Sequence, residues 1–167
     1  MTTDDHRALL AALATGSLDL ARPRALLLDH LSGRQPFAGY AARIARLFAI
    51  DLTACHRLLS ALARPDAWHP YGPGMEVRPV QVGPALARPG VQAAFARYTP
   101  GGRMPAHGHS GDETTLVLAG GFVDERTGVH VLPGDTLLSP AGSTHSLLID
   151  PGEPCLAAVR LLGPLLT

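Results

Sequence analysis

Two stretches of this chain carry side chains suited to holding a metal ion. In the first, Gly101–Gly120, His107 and His109 stand two residues apart and Glu113 follows four residues later. In the second, Gly134–His145, a frame of Gly134, Pro140 and Gly142 leads to His145. Three imidazoles and one carboxylate are a donor set that a borderline divalent ion prefers. Residues two apart on a strand leave the same face, so His107 and His109 can reach one point. Ser110, Gly111 and Asp112 read as a turn, and beyond it Glu113, Thr115 and Val117 share one parity. His145 opens another β-prone run. Three segments therefore converge on one site, and the expectation is a metal centre inside a β-barrel with His107, His109, Glu113 and His145 as ligands. The competing reading is two hairpins with surface histidines. It does not explain why a second histidine recurs at the same parity and an acid follows.

The elements that must position these residues fall into two halves. Residues 3–65 read as helices. Thr3 or Asp4 can cap the first, and Pro23 can begin the second. Tyr40, Ile44, Leu47 and Phe48 make the apolar stripe of a third helix. Asp51 caps a fourth, whose stripe is Cys55, Leu58, Leu59 and Leu62. These stripes are expected to pack together and leave an apolar groove for a partner helix. Residues 66–74 are rich in proline and glycine and read as a linker. From Met75 onward the chain turns to strands: 77–82, 91–98, 114–122, 129–132, 135–139, 146–149 and 155–162, separated by turn clusters. The expected division is a helical module 1–65, a linker 66–74 and a β-barrel 75–167.

The two glycine–histidine stretches resemble the signature motifs of the cupin family. One position departs: the asparagine common four residues after the second motif's histidine is Ile149 here. The resemblance implies a mainly β fold, a double-stranded β-helix or jelly-roll barrel preceded by a small α-helical module. It also implies the same four ligands. The whole layout is similar to the ChrR-type anti-sigma factors, whose helical part clamps a sigma factor and holds zinc through two His and a Cys-x-x-Cys. His6 and His30 stand about where the two histidines would, but Arg34 and Phe37 occupy the cysteine positions. No Cys-x-x-Cys exists in the chain, so that second zinc site cannot form as in the family.

Composition bounds the rest. A chain of 167 residues, 46% hydrophobic, can bury a core and is not disordered. All fourteen positive side chains are Arg and net charge is zero, so a nucleic-acid surface is not expected. Cys55 and Cys155 lie in separate halves and form no framework, which fits a reducing cytoplasm. No apolar run reaches membrane-spanning length, and no signal-peptide pattern opens the chain.

The expected function is a metal-binding, ChrR-like transcriptional regulator. The resemblance implies one zinc ion, with iron, manganese or nickel as the other divalent ions the ligands suit. It also implies a sigma factor or other transcription protein met through the helices; a second copy of the chain, as a homodimer, is the other partner that could cover them. No residue is expected to be catalytic. Two alternatives stand beside it: a metal-dependent cupin enzyme, dioxygenase or isomerase, acting on a small molecule, and a metal-supported binding or storage module. Thr115 and Val117 are the inward neighbours of Glu113, and only Tyr98, Arg103 and Met104 nearby add chemistry.

Overall fold

The computed structural model describes residues 36–166, so the first two expected helices and the His6 and His30 positions lie outside the described residues. A 3-10 turn at Ala38–Tyr40 leads into helix α1 (Ala41–Phe48) and then α2 (Leu52–Ser60). Asp51 caps α2 as its sequence position suggests: its Oδ1 accepts the backbone N–H of Ala54 at 2.7 Å.

Eleven strands follow: β1 (His69–Gly72), β2 (Met75–Pro79), β3 (Gln92–Tyr98), β4 (Arg103–His109), β5 (Glu113–Ala119), β6 (Phe122–Asp124), β7 (Val129–Val131), β8 (Thr136–Ser139), β9 (Thr144–Ile149), β10 (Cys155–Leu161) and β11 (Leu165–Leu166). They form two sheets with antiparallel pairing. One runs β1-β2-β3-β10-β5-β8 and the other β11-β4-β9-β6-β7. This is the mainly β, two-sheet barrel that the sequence leads one to expect. The range read as a linker holds a 3-10 turn at Pro65–Ala67 and the edge strand β1. Proline and glycine are compatible with β1 because an edge strand need not satisfy every ladder position.

The centre of the six-stranded sheet, formed by β3, β10 and β5, is buried on both faces. Inward, Val117, Cys155, Ala157 and Val159 join Phe122, Leu147 and Ile149 in the barrel core. Outward, Phe95, Leu116, Leu118, Leu156 and Ala158 meet Ile44, Leu47, Phe48, Cys55 and Leu59 from the helices in a second core. This explains why β10 reads as an unbroken apolar run instead of an alternating one. The two helical stripes do pack together, and the sheet covers what remains of them. Two arginines add polar ties across this junction. Arg43 donates to the carbonyl of Gly134 at 2.6 Å and to Thr136 Oγ1 at 2.7 Å. Arg160 donates to the carbonyl of Leu47 at 3.3 Å and to Thr114 Oγ1 at 3.1 Å.

The run expected over 114–122 is broken in two. Gly120 takes φ +62°, and a Cβ there would lie 2.7 Å from the carbonyl oxygen of Pro154. Only glycine permits both the left-handed turn and that approach, and the turn hands the chain from one sheet to the other.

Candidate metal centre

The first ligand strand is not a regular one. On β4, Met104 pairs with Leu147, and the next pair along the ladder is His107 with His145. Three positions of β4 therefore span two of β9, which is a β-bulge at Pro105 and Ala106. The bulge turns both Met104 and His107 toward the barrel interior, although their odd spacing would place them on opposite faces. It also exposes the carbonyl of Pro105, which lies 2.9 Å from His107 Nδ1. A carbonyl only accepts, so Nδ1 must carry the proton and Nε2 must present its lone pair.

His145 is set the same way by a different partner. Its Nδ1 lies 3.2 Å from Asp124 Oδ2, so the carboxylate accepts and Nε2 again presents a lone pair. Burial alone would raise the Asp124 carboxyl. The His145 hydrogen bond and the backbone N–H groups of Thr127 and Arg126 outweigh it and hold the group below its usual range. Asp124 is fully buried, whereas the sequence leaves it in the turn cluster between the expected strands 114–122 and 129–132. Its signal was the burial of an acid at a strand end, which no spacing rule reveals.

The two Nε2 atoms, His107 and His145, stand 3.1 Å apart. With both tautomers fixed outward, two lone pairs face each other, and a cation between them is the arrangement that satisfies both. His109 supports the same conclusion. It is wholly buried, and neither Nδ1 nor Nε2 has a hydrogen-bond partner. A buried imidazole with both nitrogens unpaired is costly unless a ligand completes it. Burial, with His145 and His107 alongside, lowers its pKa to about 4, so it is neutral and ready to donate its lone pair. Donor nitrogens of His107, His109 and His145 all lie within 4.8 Å of one another. The three-histidine cluster thus fits a divalent ion.

Glu113 stands at the edge of this cluster, at the start of β5. Its Oε2 is 3.6 Å from His109 Nδ1, and its Oε1 accepts from Thr115 Oγ1 at 2.9 Å. Burial raises its pKa to about 7 against the opposing pull of Thr115. Of the four residues marked by the sequence, three form the tight cluster and Glu113 is the adjoining carboxylate. A bound divalent ion would cross-link β4, β5 and β9 and act there as a Lewis acid. Around it, the Pro105 carbonyl and the Asp124 carboxylate orient the imidazoles of His107 and His145.

The turns of the two motifs hold these strands in place. His109 N donates to the carbonyl of Ser143 at 3.0 Å, and Gly142 N to that of His109 at 2.7 Å. Asp112 Oδ1 accepts Ala141 N at 2.9 Å. Gly111 lies against the backbone of Leu162 and Gly163, where a Cβ would come within 2.6 Å of a carbonyl carbon. The remaining candidates fall elsewhere. His130 is exposed and 2.8 Å from Asp150, and its neighbour Val129 is exposed as well. Cys155 is buried in the barrel core, and burial, with Asp150 and Glu153 adding, pushes its thiol up to about 12. Arg103 faces outward and pairs with Glu125 at 2.9 Å.

Asp124→Asn keeps an acceptor for His145 but removes the charge. The expected result is a metal affinity about tenfold to hundredfold lower, measured by competition with a chromogenic chelator. An unchanged affinity would remove Asp124 from the centre.

The family model for the ChrR cupin-like domain matches residues 62–164. No curated protein sequence matches the chain significantly. Among solved structures, the chain is similar to Rhodobacter sphaeroides SigE in complex with the anti-sigma ChrR. That match has 23% identity and TM-score 0.50, and it covers 92% of this chain and 95% of that one. It is also similar to an acetylacetone dioxygenase from Acinetobacter johnsonii, at 14% identity and TM-score 0.52, covering 60% of this chain and 71% of that. A third match is an RmlC-like cupin protein from Ralstonia eutropha, at 18% identity and TM-score 0.52 over 59% of this chain. The chain spans 64% of that protein's length. At these identities the likeness is one of fold.

Proposed function

This chain belongs to the ChrR cupin-like domain family, and from that premise we propose that it is a metal-holding transcriptional regulator of the anti-sigma type. In this reading residues 1–65 meet the partner, 66–74 join the halves, and 75–167 hold the ion. One zinc ion sits on His107, His109 and His145, with Glu113 as its fourth ligand. The observation that carries the reading is the extent of fold likeness. The match to the SigE–ChrR structure takes in 92% of this chain, helical part included, whereas the dioxygenase match takes in 60%. The partner is a sigma factor. The apolar stripes of α1 and α2 are already covered by the sheet, so the contact falls to their outer faces, where Arg46 and Arg57 are exposed, and to residues 1–35. Arg43 is engaged by Gly134 and Thr136 and is not part of that surface.

Capture from the native host tests this. The full chain is expected to recover a sigma factor, and Arg46→Glu to weaken that capture by about tenfold while leaving metal content unchanged. Recovery of no transcription protein would overturn the reading. A metal-dependent enzyme is the second reading. One observation favours it: a cavity of about 700 Å³ is lined by His107 and Glu113, which leaves the centre approachable by a small molecule. Turnover by the metal-loaded protein together with failed sigma capture would select it.

A further inference from the structure

The barrel interior is only partly filled. On the inner face, Met75 pairs with Tyr98 and Val77 with Ala96. Tyr98 and Ala96 are buried, yet Met75 and Val77 remain half-exposed although they pack on the same core. They border the cavity of about 700 Å³, whose wall continues through Ala94, Met104 and Val159. Apart from the hydroxyls of Tyr71 and Tyr98, the polar side chains of the lining fall in two groups. His107 and Glu113 lie at the metal centre, while Gln81, Arg88 and Gln92 are solvent-exposed lining residues. Arg88 makes no ion pair or hydrogen bond among the described residues, so its guanidinium is available at the rim.

We propose that this cavity binds an apolar monocarboxylate, its hydrocarbon body against Met75, Val77 and Ala94 and its carboxylate on Arg88. The volume lies in the range that encloses a small organic ligand. An apolar wall rewards a hydrocarbon body in proportion to the area it buries. The choice of an anion follows from charge. Arg88 is the exposed arginine of the lining, and its fork suits a carboxylate. This inference goes beyond the regulator reading and depends neither on a sigma partner nor on a bound metal.

The experiment is calorimetric titration of the full chain with decanoate, decylammonium and acetate, repeated on the chain stripped of metal with a chelator. Decanoate is expected to bind at one per chain in both forms. Decylammonium should bind about tenfold more weakly, and acetate should give no measurable heat. Arg88→Glu should weaken decanoate by about fivefold to tenfold, and Arg88→Lys by less, since it keeps the charge and loses the fork. Ala94→Trp, at a half-exposed lining position, should fill the space and abolish binding with an unchanged far-UV circular dichroism spectrum. The proposal is overturned if decanoate does not bind, if decylammonium binds equally well, or if Arg88→Glu has no effect. Sigma capture is read separately, so failure of one does not imply failure of the other.

Discussion

Adding a slight excess of zinc to the metal-free chain raises its melting temperature by about 10–15 °C, and His109→Ala loses that increment. The size follows from linkage: a ligand at about a thousand times its Kd stabilises the native state by roughly 4 kcal/mol. In a domain of this length each kcal/mol moves the transition by about 3 °C. His109 carries the effect because its ring is wholly buried with both nitrogens unpaired. The increment also depends on pH. Glu113 has its pKa raised from 4.5 to about 7, so in the metal-free chain its contribution to stability is complete below about 4.5 and is lost as pH rises through 7. With Glu113 as the fourth ligand, as proposed, the ion would take its carboxylate form and oppose that loss. His109, lowered to about 4, acts in the other direction and contributes stability that is lost as pH falls from 6.5 toward 4. The zinc-dependent rise should therefore be larger at pH 8 than at pH 6. Apparent affinity should fall by about tenfold per pH unit below 7 for each proton displaced. Differential scanning fluorimetry at the two pH values checks both statements. An equal rise in His109→Ala would contradict the assignment.

Phe48→Ala lowers the stability of the chain by about 3–5 kcal/mol without removing the metal. Phe48 is fully buried at the end of α1, and its ring meets Phe95 of β3 edge-on at a centroid distance of 5.5 Å. The contact belongs to the core that joins helices to sheet, on the face opposite the metal centre. Truncation leaves a cavity beside strands held in place by their hydrogen-bonded ladder, which cannot collapse to fill it, hence the upper part of the range. Urea unfolding gives the free energy, and elemental analysis gives the metal. Loss of stability below about 1 kcal/mol would mean that the helices do not share the barrel's outer core.

The placing of His107 and His109 on one face was legible in the sequence because a spacing of two maps directly onto a strand face. Parity alone fails nearby. Met104 and His107 reach the same interior only through the bulge at Pro105 and Ala106, and an inserted residue leaves no trace in a period-two pattern. Asp124 escaped notice for a related reason: Asp before Glu-Arg-Thr-Gly has turn chemistry, and its side chain does serve the turn through Arg126 N and Thr127 N. The second oxygen serves His145, and that depends on β6 lying beside β9. The helical stripes were correctly placed, but a stripe does not say which surface covers it. Here it is the outer face of β3, β5 and β10. Strand β11 has two residues and was too short to register as a pattern.

The central claim is that His107, His109 and His145 hold one divalent ion. Metal content per chain, determined by elemental analysis on protein purified without added metal, tests it most directly. The account predicts about one equivalent in the native chain and less than about one tenth in the His107→Ala/His109→Ala variant, with both folded by circular dichroism. A full equivalent retained by the double variant would contradict it.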